Sequence, residues 1–204
     1  MILLVTPSDV PRGSLYLVDV GFGMNIVARP VLLETGKLIP GSMVPEEHRL
    51  IRAAHPLSAL ELDDDPRSED HKEWQLQQRC GTFQPDWRTL YHFSPQFEAL
   101  GLDYEALNYA IYSRPTNTPF WPFVVYVTHF WNSEKEKDQE NGALGRRYMF
   151  ANVVKERRGD QDTILRVLKT EQDRVTALKE VFGVELTEQE AEAIRGRLPE
   201  LARE

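Results

Sequence analysis

Leu15-Tyr16-Leu17-Val18-Asp19-Val20-Gly21-Phe22-Gly23 is the stretch whose reading decides the fold. A short run rich in β-branched and aromatic residues stops at a glycine pair, the pattern of a strand running into a turn. Side chains alternate across a strand, so Leu15, Leu17 and Asp19 share one face, and Tyr16, Val18 and Val20 share the other. One carboxylate therefore falls on a face otherwise built for burial. An unpaired buried carboxylate costs on the order of several kcal/mol, so Asp19 needs a hydrogen-bonding partner or a proton. Gly21 and Gly23 permit a tight turn and close backbone approach. Residue type alone leaves two roles open: a structural acid that ties down its own turn, or a functional acid.

Working outward, residues 1–5 read as an apolar strand, and residues 6–14, with Pro7, Pro11 and Gly13, as a hairpin-like loop. The two strands flanking that loop are expected to pair antiparallel. Further short strands are expected at 31–33, 48–51, 74–79 and 88–93, between loops rich in Pro, Gly and charge. Many short strands with turn signals favour an antiparallel barrel or sandwich over a parallel sheet. Residues 61–73, a dense acidic run, are expected to be a solvated loop. Asp103 can cap a helix reaching about Ile111, with Leu107 and Ile111 on one face. The prolines in SRPTNTPF, residues 113–120, exclude further helix there. Residues 123–130 and 146–154 read as a strand pair joined by a long polar insertion, and 157–160 as an exposed turn, with attraction of a phosphate by Arg157 and Arg158 as the alternative. Val175, Leu178, Val181 and Phe182 recur at helical spacing before a stop at Gly183. Thr187 with Glu190 forms a capping box for a second helix, whose expected apolar stripe is Ala191, Ile194, Leu198 and Leu201.

The run Val18-Asp19-Val20-Gly21-Phe22-Gly23 resembles the central motif of the arylamine N-acetyltransferases. Trp74-Gln75-Leu76, Trp87-Arg88-Thr89-Leu90-Tyr91-His92-Phe93, Asp103-Tyr104-Glu105-Ala106-Leu107-Asn108 and Phe182-Gly183-Val184-Glu185-Leu186 follow the family's later blocks, so the resemblance spans nearly the whole chain. It implies an α+β fold: an antiparallel β-barrel, then an α/β lid with C-terminal helices, a cysteine-proteinase-like acetyltransferase fold lacking its N-terminal helical domain. The expected domains are 1–95 (barrel, partial) and 96–204 (helical linker and lid). The resemblance implies acetyl transfer from acetyl-CoA, as cosubstrate, to an aromatic amine or hydrazine through a Cys-His-Asp triad, without a metal. Asp19 would be the third triad member. Phe22 and Gly23 would line the acyl and acceptor site, and Thr116 and Thr118 would offer hydroxyls near coenzyme A. Phe22 as an ordinary core aromatic, and the threonines as stabilisers of their own turn, stay open beside those roles.

The family's nucleophile lies in an Arg-Gly-Gly-x-Cys segment, and its histidine in a Thr/Ser-His-Met run. Neither stands in this sequence, whose one cysteine is Cys80, in Gln78-Arg79-Cys80-Gly81. His48, His55, His71, His92 and His129 are expected to be surface or structural residues. The thiol of such a triad is activated by an imidazole that the carboxylate orients, so Asp19 by itself supplies only the orienting role. The chain as given is therefore expected to be a truncated and inactive half of such an enzyme. Its alternatives are a non-catalytic homologue that binds coenzyme A or aromatic ligands, and a structural or interaction module.

With 204 residues, 41% of them hydrophobic, the chain can build one large or two modest domains. A formal net charge of −8 argues against nucleic acid or an anionic membrane as the main partner. A single cysteine excludes an internal disulfide framework, and the expected compartment is the cytoplasm. Apolar surface left where a helical domain would dock is an expected route to self-association.

Overall fold

The computed structural model describes residues 2–11, 13–23, 27, 29–58, 69–81, 84–113, 121–133, 135 and 144–202. The chain divides into two compact units, Met1–Glu98 and Ala99–Glu204.

In the first unit, β1 (Leu3–Val5), β2 (Tyr16–Val18) and β3 (Val31–Leu32) form an antiparallel sheet in that order. The loop at 6–14 returns β2 beside β1 as expected, with Leu3 opposite Val18, Leu4 opposite Leu17 and Val5 opposite Tyr16. A second antiparallel sheet follows, in the order β4 (Ile39–Pro40), β5 (Glu46–Ala53), β6 (Glu73–Cys80), β7 (Gln84–Phe93). Leu17, Val27 and Val31 pack with Leu50, Leu76 and Phe93, and this cluster joins the two sheets. Fully burying side chains of this size stabilises by about 1.5–3 kcal/mol each.

β5 begins two residues before the expected start because Glu46 and His48 are buried on the same face as Leu50, so polar residues occupy inward positions. β6 carries buried Gln75, Gln77 and Gln78. The amides of Gln75 and Gln77 share the Thr89 hydroxyl, and Arg49 donates to Gln77, which satisfies groups that burial would otherwise penalise. β7 starts at Gln84 despite Pro85, which an edge strand tolerates because its outer backbone groups need no partner.

The second unit holds α1 (Gly101–Ser113), then β8 (Val125–Trp131), β9 (Leu144–Phe150), β10 (Val153–Arg158) and β11 (Gln161–Val167) as an antiparallel meander, then α2 (Glu171–Phe182) and α3 (Glu188–Glu192). Met149, Val154 and Leu168 pack against Ala177 and Leu178 of α2. The expected strand at 146–154 is two strands. The chain reverses at Ala151, which takes a left-handed φ of 55°, and at Asn152, within an apolar run that carries neither Gly nor Pro. Arg157, expected in an exposed turn, lies buried on β10, and only Gly159 and Asp160 turn.

Thr170 caps α2 through a reciprocal box with Asp173, and Gly183 closes it at φ 69°. The Thr187–Glu190 capping box starts α3 as read, but the expected stripe beyond it does not form. Gly196, at φ 73°, and Pro199 end helical continuation. Leu198 is exposed, and Leu201 packs instead against the cluster on α2. Along α1, Leu102, Leu107 and Tyr109 are exposed.

The fold is thus mixed α and β, with three open antiparallel sheets and few helices. No closed barrel forms among the described residues. No described helix is long and apolar enough to cross a membrane.

Candidate functional site

Asp19 follows the last residue of β2, one alternation step beyond Leu17, and points inward as the period of two requires. It is 6% exposed, whereas Val20, on the opposite face, is 80% exposed. Both carboxylate oxygens are engaged. The Gly21 backbone N–H donates to Oδ1 at 3.0 Å, and the Tyr91 hydroxyl donates to Oδ2 at 2.8 Å. The requirement for a partner is therefore met by a phenol from β7, on the facing sheet. Burial first, and then the bonded carboxylate, hold that phenol protonated far above the ordinary tyrosine range.

In the sequence Tyr91 carries only a strand signal, and nothing local marks it as the partner of an acid 72 residues away. Its inward direction follows from register: Tyr91 stands opposite Leu76, which stands opposite Leu50, and both leucines are core. Phe22 meets Tyr91 edge to face, with ring centroids 5.0 Å apart, so Phe22 shields one side of the Asp19–Tyr91 pair. Gly23 adopts φ 85°, a conformation L side chains avoid, and passes the chain around the acid. Phe22 and Gly23 are thus brought beside Asp19, while Thr116 and Thr118 lie outside the described residues.

The histidines are placed elsewhere. His48 is wholly buried on the inward face of β5, opposite Ile39 and Gln78. His92 follows Tyr91 and projects to the other face of β7. There its ring lies 4.3 Å from that of His55, and its Nδ1 lies 3.7 Å from Glu73. Burial, and secondarily His55, hold His92 below the usual imidazole pKa. Cys80 is buried at the end of β6, opposite Gln84 and Glu46. That end of the sheet carries a concavity of about 550 Å³ lined by Leu38, Val44, Pro45, Arg79 and Pro85. Asp19 and Tyr91 are not among its walls. Among the described residues no cluster of His, Cys, Asp and Glu is arranged to hold a metal.

The inward carboxylate thus closes β2 before the Gly-Phe-Gly turn, with one oxygen on a backbone N–H and the other on the Tyr91 hydroxyl. The family model for N-acetyltransferase matches residues 1–191. The chain belongs to the arylamine N-acetyltransferase family. It is similar to the N-malonyltransferase FDB2 of Gibberella moniliformis, 26% identical over 196 residues, which cover 95% of this chain and 52% of the relative. In structure it is similar to the arylamine N-acetyltransferase from Mycobacterium abscessus, with a TM-score of 0.66 and 21% identity, covering 98% of this chain and 58% of that one. It is also similar to the Mycobacterium marinum arylamine N-acetyltransferase in complex with CoA, with a TM-score of 0.59 and 22% identity, covering 90% of this chain and 53% of that one. The chain thus spans about half the length of the curated relative it matches.

Proposed function

We propose that this chain carries the orienting-acid portion of an acyl-CoA-dependent N-acyltransferase, and that these 204 residues alone bind coenzyme A without transferring an acyl group. The observation that carries the reading is the buried Asp19 carboxylate in the family's Val-Asp-Val-Gly-Phe-Gly motif, held by Gly21 and Tyr91. In a Cys-His-Asp triad a thiolate attacks the thioester carbonyl, the imidazole manages the thiol proton, and the carboxylate fixes the imidazole's tautomer and angle. Asp19 fits the last role. With Oδ1 and Oδ2 each taking one donor, an ionised carboxylate keeps lone pairs for an imidazole N–H.

The β1–β2 register supports a place for that imidazole. Leu3 pairs with Val18 and Leu4 with Leu17, so a residue added ahead of Met1 would, if the pairing continued by the same count, fall opposite Gly21 and on the face of Asp19. Diagonal neighbours on one face are about 7–8 Å apart at Cα, within reach of an Asp–His contact. Phe22 and Gly23 would line the acyl and acceptor site. Thr116 and Thr118 would contact coenzyme A, and the two units would correspond to a barrel and a lid. The acceptor would be an aromatic amine or hydrazine, and the protein would work in the cytoplasm, where a lone cysteine stays reduced. Acetyl is the family's acyl group, and the malonyl group in the curated relative's name favours a second reading for the donor.

The exposed Leu102, Leu107 and Tyr109 of α1 support a fold whose helical portion docks there, and the same surface would drive self-association in its absence. The test pairs calorimetry with a transfer assay. Saturable heat with coenzyme A and no turnover of acetyl-CoA or malonyl-CoA with an arylamine are expected. Turnover, or no heat at millimolar coenzyme A, overturns the proposal.

A further inference from the structure

The concavity at the end of the β4–β7 sheet has a floor on the face turned away from the core. Pro40 on β4 stands opposite Glu47 on β5, and Glu47 opposite Arg79 on β6, so the three share one face. Leu50 and Leu76 belong to the core, and an odd number of steps along each strand turns Glu47 and Arg79 to the other side. Trp87 of β7 lies on that side too, with the Arg49 and Arg79 guanidiniums 4.2 and 4.7 Å from its ring centroid.

Turns raise apolar walls beside this floor. The chain between β4 and β5 is closed by the Gly41 N–H, which donates to the Glu46 carbonyl at 2.7 Å. That turn carries Val44 and Pro45, and Pro45 seats directly on Gly81: a Cβ built on the glycine would lie 2.5 Å from the proline ring. Leu38, Pro40 and Pro85 complete the walls. Leu38 is 52% exposed and Val44 65% exposed, so their apolar surface meets solvent rather than the core. Proline rings have almost no side-chain freedom to lose on binding, which makes such walls preorganised. A volume of about 550 Å³ is that of a small-molecule site.

We propose that this concavity binds a small neutral aromatic amide or lactam, with the rings against the proline walls and the amide on the Glu47–Arg79 pair. Arg79 Nε donates to Glu47 Oε2 at 2.6 Å, and the two side chains stay 36% and 37% exposed. That bond uses one N–H of the guanidinium and one carboxylate oxygen, so a donor and an acceptor remain side by side for a guest. Glu46 also lines the space, and Arg49 shares the Trp87 ring with Arg79, so two carboxylates meet two guanidiniums there. The balance favours neither an anionic nor a cationic guest. A carbonyl next to an N–H matches it: the carbonyl accepts from Arg79, and the N–H donates to Glu47. The inference does not rest on acyl transfer, because neither Asp19 nor Tyr91 lines the space.

The experiment titrates the full chain by calorimetry with three probes of similar size: carbostyril, a neutral bicyclic lactam; N-methylcarbostyril, which lacks the N–H; and naphthoate, an anion. Saturable binding of carbostyril is expected. N-methylcarbostyril is expected to bind about threefold to tenfold more weakly, the loss of one hydrogen bond, and naphthoate at least as weakly as that. Val44→Glu, at an exposed position, is expected to weaken carbostyril at least about tenfold by placing a charge in the apolar wall. Glu47→Met combined with Arg79→Met keeps the walls and removes the polar pair, so this chain is expected to bind the two lactams equally. Circular dichroism confirms that each variant is folded. The site is overturned by any of four results: no saturable binding of carbostyril, equal binding of the two lactams by the unsubstituted chain, naphthoate binding as tightly as carbostyril, or a folded Val44→Glu chain that binds unchanged.

Discussion

Tyr91→Phe is expected to lower the unfolding free energy by about 1.5–3 kcal/mol, a large effect for the loss of one oxygen atom. The phenol is the donor to Asp19 Oδ2 at 2.8 Å, and Asp19 is 6% exposed, so water does not freely replace it. The ring itself stays, and with it the packing against Phe22 and Phe93, so the loss reports the hydrogen bond rather than a cavity. Asp19→Asn removes the charge and turns an amide N–H₂ toward one of two donors, Tyr91 or Gly21, so it too destabilises. Because both substitutions break one interaction, their effects are expected to be non-additive, with a coupling of at least about 1 kcal/mol in a double-mutant cycle. Urea unfolding of the four chains measures it. A Tyr91→Phe loss within about 0.5 kcal/mol of zero, the range of ordinary surface substitutions, contradicts this account of the site.

Arg174→Met is expected to cost about 3–5 kcal/mol, the loss that follows from removing one member of a buried pair. Arg174 is 3% exposed. Its Nη1 donates to both oxygens of Glu171, at 2.8 and 3.1 Å, and its Nη2 donates to the Pro199 carbonyl at 2.8 Å. Glu171 also accepts from the Leu201 N–H at 2.6 Å. One guanidinium thus pins the C-terminal segment across the first turn of α2. Without it the Glu171 carboxylate stays largely buried and keeps only the Leu201 bond, and the Pro199 carbonyl loses its donor. Adding Glu171→Leu removes the stranded charge and is expected to recover part of the loss. A chemical denaturation midpoint unchanged by Arg174→Met refutes this reading.

The strand-turn at Asp19 was legible because alternation and paired glycines act over a few residues. The β1–β2 pairing was legible because its loop is short and rich in Pro and Gly. The start of β5 was not: Glu46 and His48 are inward but carry no hydrophobic signal, so the expected strand began two residues late, whereas the strand expected at 74–79 matches β6 closely. The reversal at Ala151 was hidden because a non-glycine residue takes the left-handed conformation there. β11 is mostly exposed, and its Gln161-Asp162-Thr163 start looks like a loop. The apolar spacing of Ala191, Ile194, Leu198 and Leu201 runs through Gly196 and Pro199, which break the helix, so the spacing there does not mark a helical stripe. At the candidate site the acid was visible and its partner was not, because Asp19 and Tyr91 are 72 residues apart and meet only when two sheets pack.

The proposal with the most at stake is that Asp19 would orient an imidazole placed ahead of β1. Extending the chain by Thr-His ahead of Met1 and titrating that histidine by NMR tests it most directly. The account predicts an imidazole pKa raised about one unit above the ordinary value near 6.5, because a carboxylate favours the charged ring, and a return toward that value in Asp19→Asn. An added histidine that titrates identically with and without the Asp19 carboxylate contradicts the account.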